Sequence, residues 1–366
     1  MSTNPIADLN QSRSPVSDTG AFEARIVNAL NEAAMLQLLS LGHRTGLLDV
    51  LSGGDPVTSR ELADRARLDE RYVREWLGGL SVAGVLQHRP EDMTYCLPQA
   101  CSALLTGDGD VNLAVFSQYL PLLGAVEDDV VHCFRQGGGV PYERYARFHD
   151  VMAEDSGQTV LPSLFDAILP LAPGLTERLD RGIDVLDLGC GRGLALMKLA
   201  ERFPASRFRG YDLSGEAIEW AAARARQLGL GNVVFEQRDL ADFHETADAE
   251  SYDLVTTFDA IHDQPRPLNL LRGIRKTLRV DGVYLAQDIH ASSHHHADRD
   301  HPLGTLLYTI SVMHCMTVSL SQGGEGLGTM WGRERARDYF ERAGFGHIEV
   351  HRLPHDIQND YWVLHP

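Results

Sequence analysis

The chain has 366 residues, 43% of them hydrophobic and 23% charged, which is the composition of an ordinary globular protein with room for two domains. Its formal net charge of −18 opposes binding to polyanions such as DNA or tRNA. No apolar run is long enough for a membrane span, no signal-peptide pattern is visible, and the five scattered cysteines lack CxxC spacing. We therefore expect a cytoplasmic protein with reduced thiols and no membrane contact.

The N-terminal region predicts a small helical unit. Residues 1–20 are polar, and we expect them to form a disordered tail. The predicted helices and strands that follow are Ala21–Leu41, Gly46–Leu51, Glu61–Ala66 (after the capping box Thr58–Glu61), a helix capped by Asp69, Val85–His88 and Thr94–Leu97. Helices followed by a β-hairpin predict a winged helix over residues 21–103.

A winged helix can read DNA, so a transcriptional regulator is the alternative function. Residues 69–80 would be the recognition helix, but acidic side chains offset their two arginines. Residues 21–100 contain no lysine, and they contain more Asp and Glu than Arg. Because major-groove recognition needs a basic outer face, we expect no nucleic-acid partner.

Residues 104–174 predict a helical linker rich in aromatic side chains, with a bend allowed at Gly137–Gly139. Each aromatic could simply pack in the linker's core, or it could cover a ligand site. The candidates for ligand contact are Tyr119, Phe148, His149 and Met152.

The most informative segment is V-L-D-L-G-C-G-R-G-L, Val185–Leu194. An apolar strand enters a glycine turn, and the turn opens a helix, which predicts a nucleotide-binding corner. The turn contains Gly189, Gly191 and Gly193, so its spacing is G-x-G-x-G rather than the dinucleotide G-x-G-x-x-G. Asp187 would repel a pyrophosphate at this corner, but it would attract the ammonium group of S-adenosylmethionine (SAM).

Acidic residues follow the next predicted strands in turn. Strand Arg207–Tyr211 ends at Asp212, and strand Asn232–Gln237 leads to Asp239. The strand Tyr252–Phe258 is followed directly by Asp259. At the carboxyl edge of a parallel sheet, Asp212 is suited to ribose hydroxyls and Asp239 to the adenine amino group.

The end of the chain predicts a departure from repeating parallel units. A turn at Val280–Gly282 precedes a fifth strand, Val283–Asp288. After a helix at Gly332–Ala343, strands His347–Arg352 and Asp360–Leu364 close the chain as a hairpin. Such a hairpin is unlike a plain NAD domain.

From about Leu175 to Pro366 the chain resembles the class I SAM-dependent methyltransferases. The resemblance implies an α/β, Rossmann-like domain with a seven-stranded sheet whose seventh strand is antiparallel. It also implies that the loop binds the methionine moiety of SAM, Asp212 the ribose, and Asp239 with Leu240 the adenine. The expected cofactor-binding residues are Asp187, Gly189, Cys190, Gly191, Asp212, Leu213, Asp239, Leu240, Phe258 and Asp259. A NAD enzyme or a fold without ligand are the alternatives.

Together with the winged helix, the whole chain resembles two-domain bacterial small-molecule methyltransferases. In the O-methyltransferases of this architecture, the N-terminal domain dimerises and walls the substrate pocket. The resemblance therefore implies a homodimer that uses SAM to methylate a small, fairly apolar acceptor, with O-methylation favoured. A SAM-responsive winged-helix regulator and an inactive SAM-binding scaffold are the alternatives.

The segment F-D-A-I-H-D-Q-P contains the candidate base. His262 could remove a proton from the acceptor, and Asp263 could orient the imidazole. Plant-type O-methyltransferases resemble this chain in having an H-D pair here, although an aromatic residue follows their pair. A structural role for His262 is the alternative, because alignment of the reactants alone can support methyl transfer.

Residues 290–331 predict an inserted lid between the fifth strand and the last helix. The insertion contains six histidines, and a metal site there is one hypothesis. Adjacent histidines cannot all converge, so we interpret them as a solvated loop and predict no metal. Residues 304–320 predict an apolar pocket wall, with Tyr308 and Met313 as candidates for substrate contact.

Overall fold

The computed structural model describes residues 18–107 and 111–366. The chain divides into two compact units, one ending at Gly124 and the other running from Ala125 to Pro366. The boundary falls within the segment predicted as a linker, residues 104–174. The predicted tail lies outside the described residues up to residue 17, while Thr19 and Gly20 already belong to the first helix.

The N-terminal unit is mainly helical. Its helices and strands are α1 (Thr19–Thr45), α2 (Leu47–Val50), β1 (Val57–Thr58), α3 (Ser59–Ala66), α4 (Glu70–Val82), β2 (Gln87–Arg89), β3 (Thr94–Cys96), α5 (Gln99–Leu105), α6 (Ala114–Ser117) and α7 (Tyr119–Gly124).

Local sequence signals account for the helices of this unit. Thr58 accepts a hydrogen bond from the backbone N–H of Glu61, whose carboxylate accepts one from Thr58 in return, so the predicted capping box is confirmed. Asp69 caps α4, also as predicted. The hairpin β2–β3 and the short β1 form a sheet of order β1-β3-β2. Helices packed against this small sheet confirm the predicted winged helix.

The C-terminal unit is an α/β fold. Its elements are α8 (Glu127–Gln136), a 3-10 turn (Tyr142–Arg144), α9 (Phe148–Ser163) with a π turn (Leu164–Ile168) and a 3-10 turn (Leu169–Leu171), α10 (Leu175–Arg181), β4 (Asp184–Leu188), α11 (Leu194–Arg202), β5 (Arg207–Asp212), α12 (Gly215–Gln227), β6 (Val233–Gln237), α13 (Phe243–Thr246), β7 (Tyr252–Phe258), α14 (Pro267–Thr277), β8 (Leu278–Ile289), α15 (Gly304–Ile310), a π turn (Ser311–Cys315), α16 (Met316–Ser321), α17 (Arg333–Ala343), β9 (His347–His351) and β10 (Asn359–His365).

One seven-stranded sheet organises this unit, in the order β6-β5-β4-β7-β8-β10-β9. Strands β4 to β8 pair in parallel, whereas β10 pairs antiparallel with both β8 and β9. The predicted Rossmann-like sheet with an antiparallel seventh strand is therefore confirmed. Because the parallel strands share one carboxyl edge, the loops that follow β4, β5, β6, β7 and β8 meet there.

The prediction for the fifth strand needs correction. Strand β8 begins at Leu278, five residues before the predicted start at Val283, and residues 280–282 lie inside it. The pairing with β7 nevertheless shifts in register between Tyr252 and Leu254, opposite this segment. The turn signal of Asp281-Gly282 thus produces a bulge in the strand and does not end the pairing.

Apolar side chains cover both faces of the sheet. One cluster includes Val185, Leu254 and Leu285, and the opposite cluster includes Leu186, Val255 and Tyr284. Strands buried on both faces need continuous apolar runs, which is why these segments are recognisable in the sequence.

We find no single helix long and apolar enough to cross a membrane in the described part of the chain. Two consecutive helical segments, Phe148–Leu171 and Leu175–Arg181, have the length and apolar composition of a membrane span when taken together, but the pair is bent by 106°.

Candidate functional site

The glycine turn after β4 forms a tight corner. Gly189, Gly191 and Gly193 have φ values of 71°, 52° and 66°, a region that favours glycine. A Cβ on Gly193 would lie 2.2 Å from the Phe235 ring, whereas a Cβ on Gly191 would have no atom within 4 Å. The corner therefore packs tightly against Phe235 at Gly193 and leaves open space for a ligand at Gly191.

Asp187 lies beneath this corner in the sheet. The side chain is buried, and Oδ1 accepts a hydrogen bond of 2.7 Å from the Thr256 hydroxyl of β7. Burial raises the pKa of Asp187 to about 7, against the opposing effect of the Thr256 hydrogen bond. A cationic group of a ligand would restore the charge of this carboxylate.

Asp212 is the last residue of β5, and Asp239 follows β6, which is the next strand of the sheet. Asp212 accepts hydrogen bonds from the backbone N–H groups of Gly191 and Ser214, both at 2.8 Å, so it braces the glycine corner. Asp239 is exposed and accepts a hydrogen bond from the N–H of Ala241, while Leu240 beside it is buried. The structure thus places these acids on adjacent strands of one edge, in the order that the sequence predicts.

His262 is buried after β7, and its partner differs from the predicted one. Its Nδ1 lies 2.7 Å from Oδ1 of Asp288, at the end of β8, and not beside Asp263. The nearest hydrogen bond to Asp263 comes instead from Gln264, at 3.3 Å. Burial disfavours the imidazolium, but Asp288 and Cys315 together outweigh this effect and raise the pKa of His262. The carboxylate that hydrogen-bonds to the imidazole is therefore Asp288 and not the predicted Asp263.

The insertion supplies two further contacts to this pair. Trp331 Nε1 donates to Oδ1 of Asp288 at 3.1 Å, and Cys315 lies close enough to His262 to raise its pKa further. Sequence reasoning missed these roles because the partners are distant in the chain. The sequence contains one indication of this pairing, because Asp288 ends a predicted strand at the same edge of the sheet as His262.

Aromatic side chains line the approach to the site. Phe148 stacks on His314 with ring centroids 3.9 Å apart, and Tyr142 lies 5.4 Å from His149. Burial, followed by the charges of Asp212, Asp263 and Cys315, raises the pKa of Tyr142. Sequence reasoning selected Phe148 and His149 but not Tyr142.

The other predicted substrate contacts are dispersed. Met313 packs with Phe148 in a cluster around Val130, and its carbonyl accepts a hydrogen bond from Tyr145. Tyr308 lines a cavity of about 520 Å³ formed by residues 295–312, where its hydroxyl donates to Asp298 at 3.4 Å. Tyr119 is buried in helix α7 of the N-terminal unit. Met152 lies on α9, next to the aromatic cluster in sequence.

The metal hypothesis for the histidine-rich insertion gains no support from the described residues. Among the described residues, one group of side chains could hold a metal ion, and it lies outside the insertion. It consists of Asp259, His262 and Asp288, whose ligand atoms lie within 4.8 Å of one another. The charges acting on Asp259 come from Asp288 and His262 rather than from Asp187 or Asp212. The structure therefore places Asp259, predicted as a cofactor ligand, beside His262.

The candidate recognition helix α4 of the N-terminal unit is electrostatically neutralised. Arg71 pairs with Glu75, and Arg74 lies 3.4 Å from Glu70, within the same helix. Both arginines of α4 are thus paired with acids of the same helix, and the absence of a nucleic-acid partner stays a prediction.

Comparison with known families assigns both units. Residues 33–107 match the family described as Rv2258c-like winged HTH domain, and residues 179–344 match the family described as Methyltransferase domain. The C-terminal unit carries a methyltransferase domain. With the sheet order described above, the predicted resemblance to winged-helix class I methyltransferases is confirmed.

Curated relatives match parts of the chain. It is 40% identical over 80 residues to methyltransferase ungE' of Aspergillus campestris, covering 22% of this chain and 23% of that protein. It is 30% identical over 131 residues to the ubiquinone biosynthesis O-methyltransferase of Haemophilus ducreyi, covering 35% of this chain and 52% of that protein. The chain thus spans between a quarter and about half the length of these relatives.

Solved structures resemble the chain over nearly its whole length. Human N-acetylserotonin methyltransferase, solved in complex with SAM, has a TM-score of 0.64 at 17% identity, covering 96% of this chain and 99% of that one. At this identity the likeness establishes the two-part fold and does not transfer the substrate.

Proposed function

We propose that this protein is a SAM-dependent methyltransferase that methylates a small, fairly apolar acceptor, with O-methylation favoured. The observation that carries the proposal is the shared edge of β4, β7 and β8. Strand β7 lies between the other two, so the glycine corner and the His262–Asp288 pair lie at the same carboxyl edge of the sheet. A regulator is not favoured, since α4 lacks free basic side chains.

The residues at this edge fit SAM. Asp187 offers a buried carboxylate to the ammonium group, and Gly191 leaves open space above the turn. Asp212 and Asp239 offer acceptors for the ribose and adenine, with Leu240 as an apolar floor. Gly189, Cys190 and Leu213 lie in the turns after β4 and β5, and Phe258 is the last residue of β7. When bound, SAM supplies an electrophilic methyl group on sulfonium.

His262 is proposed as the general base. Its Nδ1 is engaged by Asp288, so Nε2 is the nitrogen that takes the proton of an acceptor hydroxyl. Asp288, held by Trp331, fixes the ring and stabilises the imidazolium that forms. The aromatic side chains of Tyr142 and Phe148 keep water from this edge and suit an apolar acceptor.

We also propose that the enzyme is cytoplasmic and acts as a homodimer through its N-terminal unit. Five cysteines without disulfides support a reducing compartment. Helix α1 exposes Phe22, Ile26 and Leu30, which recur every four residues on one face. A second copy of the chain is the proposed cover for this face.

Calorimetry with S-adenosylhomocysteine (SAH) tests the cofactor assignment. Asp212→Ala should weaken SAH binding by about 10-fold or more, because a hydrogen bond to a charged group contributes about 1.5–3 kcal/mol. Asp180→Ala is the control, since Asp180 pairs with Arg202 on the surface, with half of its side chain exposed. Equal SAH affinity in wild type and Asp212→Ala would contradict the ribose assignment.

A further inference from the structure

Three buried oxygen atoms without a hydrogen bond collect where β7 and β8 end. They are Oδ1 of Asp259, Oδ2 of Asp288 and Oε1 of Gln287. The side chains of Gln287 and Asp288 are only 1% and 3% exposed. Each unpaired buried acceptor costs about 1–3 kcal/mol, so three of them together indicate a donor that the folded chain does not supply.

The neighbouring hydrogen bonds determine which atoms stay free. Gln287 donates through Nε2 to Oδ2 of Asp259 at 3.0 Å, which leaves its Oε1 as the unpaired atom. Oδ1 of Asp288 is saturated by His262, by the N–H of Ile289 and by Trp331. The free oxygen of each side chain is therefore fixed by contacts and not by an arbitrary rotamer.

The described residues supply this site with no cationic side chain other than His262. His262 is the partner of Asp288, and no Lys or Arg of the described residues pairs with Asp259 or Asp288. Burial and the nearby Asp288 raise the pKa of Asp259, which reflects one negative charge too many in a dry place. A ligand that brings both N–H donors and a positive charge would satisfy the oxygens and the charge together.

We propose that Asp259 and Asp288 bind a protonated amine of the methyl acceptor, with Gln287 holding Asp259 in place. This inference rests on the proposed methyltransferase function and narrows its substrate class to small apolar amines. The N–H donors of a primary ammonium suit the free oxygens of Asp259 and Asp288, whose ligand atoms lie within 4.8 Å of each other. Gln287 precedes Asp288 in the strand and so points to the other face, where it holds Asp259. The ammonium anchors the acceptor at the edge of the sheet, where its reacting group faces His262.

A metal ion fits these atoms less well. The ligand atoms of Asp259, His262 and Asp288 lie within 4.8 Å of one another, but Nδ1 of His262 is committed to Asp288. The remaining donors are oxygens in a buried site, whereas Mg²⁺ usually keeps several of its waters. A metal is accordingly the rival occupant that the experiment must distinguish.

The test uses the full-length protein saturated with SAH and two probes of the same shape, benzylamine and benzyl alcohol. At neutral pH benzylamine is protonated, and we expect calorimetry to give it at least about 10-fold higher affinity than the alcohol. Asp259→Asn should abolish this preference while leaving SAH affinity and benzyl alcohol binding unchanged. Asp242→Asn, which alters an exposed acid paired with Arg266, should keep the preference.

Equal affinity for the two probes, including no binding of either, would overturn the proposal. A preference for benzylamine that survives Asp259→Asn would overturn it as well. So would Mn²⁺ or Mg²⁺ that displaces benzylamine from the wild type and not from Asp259→Asn, because the site would then belong to a metal. Failure of SAH to bind would instead contradict the methyltransferase function, so the two failures are distinguishable.

Discussion

Asp187 combines a cost in stability with a gain in ligand binding. Its pKa rises from 3.8 to about 7 on folding, chiefly through burial. Between these values the unfolded chain carries the negative charge and the folded chain does not. The contribution of this residue to the free energy of unfolding therefore falls as pH rises from about 4 to about 7.

Asp187→Asn should reverse both effects. The ligand-free variant should be more stable than wild type above neutral pH, by on the order of 1–3 kcal/mol, because the ionised carboxylate is no longer buried. Its affinity for SAH should fall by at least about 10-fold, since the amide offers no charge to the ammonium group. Thermal melts and calorimetry across the neutral range measure the two quantities. A less stable variant, or unchanged SAH affinity, would contradict this account.

The pair formed by His262 and Asp288 predicts a pH dependence. Because Asp288 raises the pKa of His262, turnover should rise with pH over a range that lies above the usual titration range of histidine. Asp288→Asn should move the titration of His262 to lower pH, since burial then acts without the opposing charge. NMR of the histidine ring measures the shift, and His314, whose pKa burial lowers to about 3, should stay neutral throughout.

Asp263→Asn is the matched control for this experiment. Asp263 follows His262 directly in the chain but makes its hydrogen bond with Gln264. The variant should therefore move the titration of His262 less than Asp288→Asn does. A larger shift from Asp263→Asn would restore Asp263 as the orienting residue and remove Asp288 from that role.

At the scale of elements, the inserted segment of residues 290–331 holds the base in place. Trp331, at its end, donates to Asp288, and Cys315, in its middle, contacts His262. Both side chains are buried. The segment thus encloses the His262–Asp288 pair from two sides, and we expect its packing to influence catalysis.

Trp331→Phe tests this role. It removes the N–H donated to Asp288 but keeps an aromatic ring in the core, so the Asp288 carboxylate should bind the His262 proton more tightly. We expect the pKa of His262 to rise and turnover to fall by roughly 10-fold, from loss of one hydrogen bond of about 1.5 kcal/mol or more to a charged group.

Trp362→Phe provides the control for stability. Trp362 is buried in the same apolar cluster as Trp331 and packs on Phe340, with ring centroids 5.2 Å apart. Both variants should lose a similar amount of stability, but only Trp331→Phe should move the titration of His262. Identical titrations in the two variants would reduce Trp331 to a core residue.

The same elements show how far the sequence alone reaches. Strands β4 to β7 are predictable because runs buried on both faces and acids at their ends are local patterns. The partner of His262 is not local: Asp288 lies 26 residues away on another strand, and its side chain meets the imidazole only when β7 and β8 pair. The bulge of β8 was missed for a related reason, since pairing with β7 overrides the turn signal at residues 280–282.

At the scale of the whole molecule, helix α1 carries a row of exposed apolar side chains that its own unit does not cover. Phe22, Ile26 and Leu30 are 50%, 46% and 67% exposed, although apolar side chains of this size usually lie inside. Their spacing of four residues aligns them along one face of the helix. A two-fold related copy of α1 would bury this face against itself, as homodimer interfaces commonly do.

Leu30→Glu should convert the proposed dimer to a monomer. A two-fold interface would bring two added carboxylates together and would desolvate both, so we expect the dissociation constant to rise by at least ~100-fold. Analytical ultracentrifugation measures this constant. Val82→Glu is the control, because Val82 is 91% exposed at the end of α4 and lies off the α1 face. A monomeric wild type at micromolar concentration, or a dimer that tolerates Leu30→Glu, would show that α1 is not the interface.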